Sequence, residues 1–203
     1  MLVDPEKDKT LVDINSDKYF IPASNTKLFT FYTSYTILGD ELVNGLNYVE
    51  SGDSLIFWGT GDPSLLHPDL KNEVALDFLK NTQKDLYLLD NFDQVDAFGP
   101  GWSWDWYNYY FATERSALPI YGNIVRFDHP EEGQIFEIIP SIFKSALEAN
   151  EPEEWTSYDF RRDRTTNQFS YNLPKEWTGT FERDIPFITS PEMTAVWLSE
   201  ELD

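Results

Sequence analysis

Between Tyr19 and Gly39 the chain changes period within a few residues. Its path there is the most tightly constrained of any segment. Pro22 biases Ile21 towards an extended backbone, and Ser24 or Asn25 can cap a helix. Leu28, Phe31, Tyr32, Tyr35 and Leu38 then recur at the spacing of a helix that buries one face, and Gly39 stops it. Upstream, Leu11, Ile14 and the Tyr19-Phe20-Ile21 run point to two short strands. The first begins near Leu2-Val3, and Pro5-Glu6-Lys7-Asp8-Lys9 forms the turn.

At the start of that helix Ser24 and Lys27 stand three residues apart. On a helix such a pair shares one face, with Cβ atoms about 5–6 Å apart, so the amine reaches the hydroxyl. A serine hydroxyl is a poor nucleophile until a neighbouring base takes its proton. A lysine serves as that base when burial or nearby positive charge keeps it neutral. Backbone N–H groups at a helix start also help to hold an oxyanion. Serine acyl transfer through Ser24 and Lys27 is therefore the leading chemistry. A second Ser-x-x-Lys, Ser141 to Lys144, follows Pro140 without comparable surroundings and reads as accidental.

Three blocks carry a resemblance. They are Tyr19-Phe20-Ile21-Pro22-Ala23-Ser24-Asn25-Thr26-Lys27-Leu28, Gly59-Thr60-Gly61-Asp62-Pro63-Ser64-Leu65 and Gly99-Pro100-Gly101-Trp102-Ser103-Trp104-Asp105. Tyr109-Tyr110-Phe111-Ala112, Ser116-Ala117-Leu118 and Gly122-Asn123 extend the third. In this order they resemble the penicillin-binding D-alanyl-D-alanine carboxypeptidases and endopeptidases of the low-molecular-mass class C type, over most of the chain. The resemblance implies that Ser24 attacks the carbonyl of the penultimate D-alanine of a peptidoglycan stem peptide with Lys27 as general base. It also implies that β-lactams acylate the same serine. Such enzymes use a later Ser-x-Asn triad and a Lys-Thr-Gly strand. No Lys-Thr-Gly occurs here, and Ser170-Tyr171-Asn172 lies in an alternating, strand-like stretch that resembles part of the inserted domain.

The expected architecture is α+β: a fragment of a serine β-lactamase/transpeptidase-like domain, with a hairpin and nucleophile helix in residues 1–52, and an inserted mixed α/β accessory domain in residues 53–203. The domain change is set at the Ser51-Gly52-Asp53 turn. On this reading the full-length protein carries a signal peptide absent here and works in the periplasm or cell envelope, whereas this chain lacks the later catalytic strands. A natural short paralogue without catalysis is the competing account.

Charge narrows the partners. With 15 Lys and Arg against 36 Asp and Glu the formal net charge is −21, a field that repels phosphate backbones and anionic lipid. Nucleic acid is not an expected partner, and the acidity reads as a device of solubility or a mark of a saline habitat. The one basic cluster, Arg161-Arg162-Asp163-Arg164, is expected to pair with neighbouring carboxylates. No apolar run approaches the about 20 residues a membrane helix needs. Cysteine is absent, and His67 and His129, each before a proline in loop-like surroundings, lack a second histidine at metal-ligand spacing. Neither a metal nor a cofactor is called for. The aromatic run Trp102 to Phe111 would suit a glycan- or peptide-stacking platform, the basis of an alternative non-catalytic envelope module. Core packing is the reading preferred for those rings.

Further along, strands are expected at Ser54–Gly59, Lys84–Asp90, Ile120–Phe127, Gly133–Ile139, Gln168–Leu173 and Thr180–Asp184. Helices are expected at Asp69–Asn81, Ser141–Asn150 and Pro191–Leu202.

Overall fold

The molecule is described from a computed structural model for residues 1–40, 43–89, 96–129, 137–150, 158–174 and 179–202. It divides into two units, Met1–Val43 and Asn44–Asp203. The sequence reading set the domain change later, in the turn between two strands that pair with each other.

In the first unit Leu2–Asp4 (β1) and Lys9–Val12 (β2) form an antiparallel hairpin. The Asp4 carboxylate accepts the N–H groups of Glu6 (3.1 Å) and Lys7 (3.3 Å) and so fixes the turn. A 3-10 turn at Ala23–Asn25 leads into the helix Thr26–Leu38 (α1), which Gly39 ends at φ +68° with its N–H on the Tyr35 carbonyl. Two expectations are corrected here. Tyr19-Phe20-Ile21 is not a strand: among the described residues it pairs with no other segment, and all three side chains are exposed. The apolar side chains of α1 are also not buried, since Leu28, Phe29, Phe31, Tyr32, Tyr35, Ile37 and Leu38 are each half or more exposed. They surround the helix on every side, and a helix stays solvated when no second layer lies against it.

In the second unit Leu46–Ser51 (β3) and Ser54–Gly59 (β4) make a hairpin whose turn places Gly52 at φ +57°. From β4 the chain crosses through Val74–Asn81 (α2) to Asp85–Leu88 (β5), which pairs parallel with β4. A parallel neighbour requires such a crossover. Alternation along β4 sends Leu55, Phe57 and Gly59 into the core. The helix expected from Asp69 begins only at Val74, because Pro68 to Glu73 are spent on turn bonds: Asp69 N–H to His67 Nδ1 (3.0 Å) and Val74 N–H to Asn72 Oδ1 (3.2 Å).

A second sheet has Ile124–His129 (β6) at its centre, with Glu137–Ile139 (β7) on one side and, later in the chain, Phe181–Pro186 on the other. Residues 120–123 of the expected strand instead turn tightly, and 133–136 lie outside the described residues. The third sheet joins Leu147–Ala149 (β8), Asp159–Arg162 (β9) and Phe169–Asn172 (β10), with β10 central. The helix expected at Ser141–Asn150 is thus corrected to a 3-10 turn, Ser141–Ala146, followed by β8, whose three residues pair with β10. Phe181–Pro186 is β11, and Pro191–Leu202 (α3) closes the unit with Trp197 and Leu198 buried. The class is α+β.

Much of the aromatic content is spent in this core. Phe127 stacks on Phe160 at 4.4 Å, Phe143 meets Phe169 and Trp197 edge-on, and Phe187 meets Trp197 at 5.0 Å. The run from Trp102 onward is different, and the preference for core packing is corrected. Trp104 (71%) is exposed in a turn and Tyr110 (65%) and Phe111 (54%) on a short 3-10 turn, because consecutive turns leave no continuous face to bury. His129 is also corrected. It ends β6, buried and stacked on Phe181 at 5.3 Å.

Candidate active site

Pro22 at φ −71°, ψ −19° is followed by Ala23 at φ +46°, and Asn25 and Thr26 return to right-handed helical angles. The Asn25 N–H bonds the Pro22 carbonyl at 3.0 Å, and the Thr26 N–H turns back onto Ala23 and Ser24. Ser24 therefore sits in the turn that opens α1, and Lys27 is the second residue of the helix proper. Both are exposed, and no hydrogen bond joins them. Among the described residues the Ser24 N–H has no backbone acceptor, which leaves it available as a donor beside the hydroxyl. Such a pair can act chemically as a nucleophile with an adjacent amine.

The other two blocks lie in the second unit. Gly61 N–H bonds the Ala117 carbonyl at 2.6 Å, and Tyr121 N–H bonds the Leu65 carbonyl at 3.0 Å. A Cβ on Gly59 would stand 2.2 Å from the Ala117 carbonyl oxygen, so only glycine allows β4 to lie this close. Asn123, 2% exposed, organises the neighbouring loop: its Nδ2 donates to the Glu114 carbonyl (2.8 Å) and to Ser116 Oγ (2.9 Å), and its Oδ1 accepts the Ile120 N–H (3.3 Å). Glu114 Oε2 accepts the N–H and the hydroxyl of Thr189 at 2.8 and 2.9 Å. Together these segments and Trp102 wall a cavity of about 550 Å³. Trp102, one of the lining residues, follows the tight turn at Gly101, φ +79°. Ser116-Ala117-Leu118 and Gly122-Asn123 stood out in the sequence only as part of the family resemblance. The role of Asn123 in organising this loop was not foreseen.

Charged groups elsewhere serve the fold. Arg126 is buried and gripped by Asp184 (2.8 Å) and Asp69 (2.6 Å), with Glu182 at 3.5 Å. These partners push the guanidinium further into its charged range, and the Arg126 hydrogen bond holds the Asp69 carboxyl below the usual carboxylate range. Burial, reinforced by the bond to Glu201, pushes the Tyr121 phenol well up. The basic cluster departs from the pairing expected of it. Among the described residues only Arg161 meets a carboxylate, Asp159 at 2.6 Å, whereas Arg162 is buried on three carbonyls and Arg164 lies 4.7 Å over the Trp104 ring. Burial is also what lowers the Arg162 pKa.

Ser141 and Lys144 share a 3-10 turn of the second unit, and Ser170 and Asn172 lie in β10 as the alternation implied. Among the described residues no group of three or more His, Asp or Glu is arranged to hold a metal ion. No helix among them is long and apolar enough to cross a membrane.

Comparison with known proteins yields two findings. The profile of the D-Ala-D-Ala carboxypeptidase 3 (S13) family matches residues 1–165. The crystal structure of penicillin binding protein 4 from Haemophilus influenzae superposes with a TM-score of 0.60 at 18% identity, covering 98% of this chain and 49% of that one. This chain thus spans about half the length of the solved protein it matches. Among curated proteins none matches.

Proposed function

Since the chain belongs to the D-Ala-D-Ala carboxypeptidase 3 (S13) family, we propose that it carries the nucleophile segment of a penicillin-binding serine peptidase acting on peptidoglycan stem peptides. The observation that carries this reading is the exposed pair of Ser24, in the turn that opens α1, and Lys27, in the first turn of that helix. In the proposed reaction Ser24 Oγ attacks the carbonyl of the penultimate D-alanine while Lys27 Nζ takes the hydroxyl proton. The Ser24 N–H faces the developing oxyanion. The C–N bond breaks, the terminal D-alanine leaves as an amine with a proton returned to it, and water hydrolyses the acyl-enzyme. A β-lactam would form the same ester bond and remain on the serine.

The proposal extends to organisation and place. Residues 1–52 are read as the opening of the transpeptidase-like catalytic domain and residues 53–203 as an inserted accessory domain. The later catalytic strands are assigned to a longer polypeptide in the periplasm or cell envelope. Support comes from the share of the solved relative that this chain spans, 49%, and from the exposure of α1, a helix of a kind otherwise enclosed in a core. A second reading is a non-catalytic envelope module that binds glycan or peptide. The observation that favours it is the exposure of Trp104 and Tyr110.

One experiment separates the two: intact-mass spectrometry after incubation with a β-lactam, on this chain and on the longest polypeptide its gene encodes. Mass gain that maps to Ser24 in the longer protein, and is lost in Ser24→Ala, is the expected result. No gain in either folded protein sinks the peptidase reading in favour of the binding module. A gain retained in Ser24→Ala sinks the nucleophile assignment alone.

A further inference from the structure

We propose that β3 and the groove beside it form a docking surface for an extended, cationic segment of a partner protein, which adds a strand to the edge of its sheet. The surface lies within the Asn44–Asp203 unit and needs neither Ser24 nor Lys27. Among the described residues β3 pairs only with β4, so no strand meets the N–H and C=O groups along its other side. Such a row is a template for another chain, and folded proteins blunt it with short strands, charge, proline or bulges. The other sheet edges of this unit carry those devices. β7 and β8 are three residues long, β5 directly follows Lys84, β9 carries Arg161 and Arg162, and β11 carries Glu182, Arg183 and Asp184 and ends at Pro186. By contrast β3 runs for six residues without lysine or proline, in unbroken register from Leu46 opposite Gly59 to Ser51 opposite Ser54. Tyr48 and Val49 are exposed on it, and its one charge, Glu50, is shared with Lys84 Nζ at 3.1 Å.

The register also decides what an added strand would meet. Tyr48 and Glu50 lie opposite Phe57 and Leu55 of the core, so they stand on the face that α2 covers. The Tyr48 ring meets Phe78 of α2 at 4.9 Å, and Glu50, Leu55, Val74, Asp77 and Phe78 line a groove of about 320 Å³. Val74 and Phe78 give it an exposed apolar wall. A strand laid along β3 sends every second side chain to this face, where apolar groups reach that wall while the main chain supplies the hydrogen bonds. Both charged residues that line the groove are carboxylates, and Asp77 meets no cation among the described residues. Lysine or arginine in the incoming segment answers them. The formal net charge of −21 draws in such a segment and sets a second copy of this chain against itself.

The test uses the isotope-labelled 203-residue chain, with a blocked hexapeptide of alternating valine and lysine as the probe. Amide signals of Leu46–Ser51 and of α2 should shift, and those on the rest of the acidic surface should not. A fully N-methylated probe keeps its charges but cannot pair, and its affinity should fall by at least about 10-fold. Asp77→Lys should weaken the unmodified probe by about 10-fold. No shift along Leu46–Ser51 at about 1 mM probe, where even the weakest specific complexes form, overturns the proposal. Shifts spread over the whole surface, or undiminished binding of the N-methylated probe or by Asp77→Lys, would mean unspecific charge attraction and overturn it as well. So would β3 amides already protected from exchange before probe is added. Protection that grows with concentration would assign the edge to a second copy, and protection found only in the longest polypeptide the gene encodes would assign it to that polypeptide's own later segments.

Discussion

Asp163 closes the turn between β9 and β10 with one oxygen atom. Its Oδ1 accepts the N–H and the hydroxyl of Thr165 (2.8 and 3.0 Å) and of Thr166 (2.9 and 3.0 Å), which hold the carboxyl down from 3.8 to about 2. A carboxyl whose folded pKa lies below its unfolded value contributes stability above the unfolded pKa and loses it as the pH falls through the folded one. The contribution of Asp163 is therefore complete above 3.8 and fades towards about 2. Asp163→Asn keeps an acceptor in place but does not titrate. Its denaturation midpoint should fall less steeply than that of wild type over this window, and parallel curves would refute the assignment. The charge sequence Arg-Arg-Asp-Arg did announce a polar cluster. What it could not announce is that Arg162 turns inward onto the carbonyls of Pro186, Asp163 and Thr166, because the first belongs to a strand 24 residues on and the other two come into reach only when the turn after β9 has folded.

At the scale of elements, local rules were legible and pairing partners were not. The helix beginning just after Ser24 and its end at Gly39 depend on residues within a few positions and were legible, although neither Ser24 nor Asn25 caps α1 with a side-chain hydrogen bond as expected. The strand β9 depends on β10, and β8 depends on it too, so neither Asp-Phe-Arg-Arg nor Leu-Glu-Ala signals a strand alone. The burial of α1 failed for the same reason, since an apolar face predicts only that a partner is wanted. Phe31, 71% exposed, converts this into a measurement. In this chain Phe31→Ala removes no buried contact and should change unfolding free energy by no more than about 0.5 kcal/mol. In a longer polypeptide that encloses α1 the same change should cost about 3–5 kcal/mol. A small effect in both proteins would show that α1 stays solvated, and would count against the proposed catalytic domain.

Over the whole molecule, stability is lodged in one unit. Every buried residue among those described lies between Leu55 and Leu198, whereas Met1–Val43 has none. Burial of apolar surface dominates folding free energy, so the Asn44–Asp203 unit contains what it needs to fold cooperatively, and the first unit contains a hairpin and a helix without a core. Removing residues 1–43 should consequently leave the thermal midpoint of the remainder within the about 2–4 °C that 1 kcal/mol produces in a domain of this size. Amides of α1 in the intact chain should exchange with solvent much faster than those of β4, β6 and β11. A midpoint that falls well beyond that range on truncation would mean the nucleophile segment is part of the second unit's folding core. Protected α1 amides with an unchanged midpoint would mean that α1 already has a partner in solution, and the chain's self-association would then be the next quantity to measure.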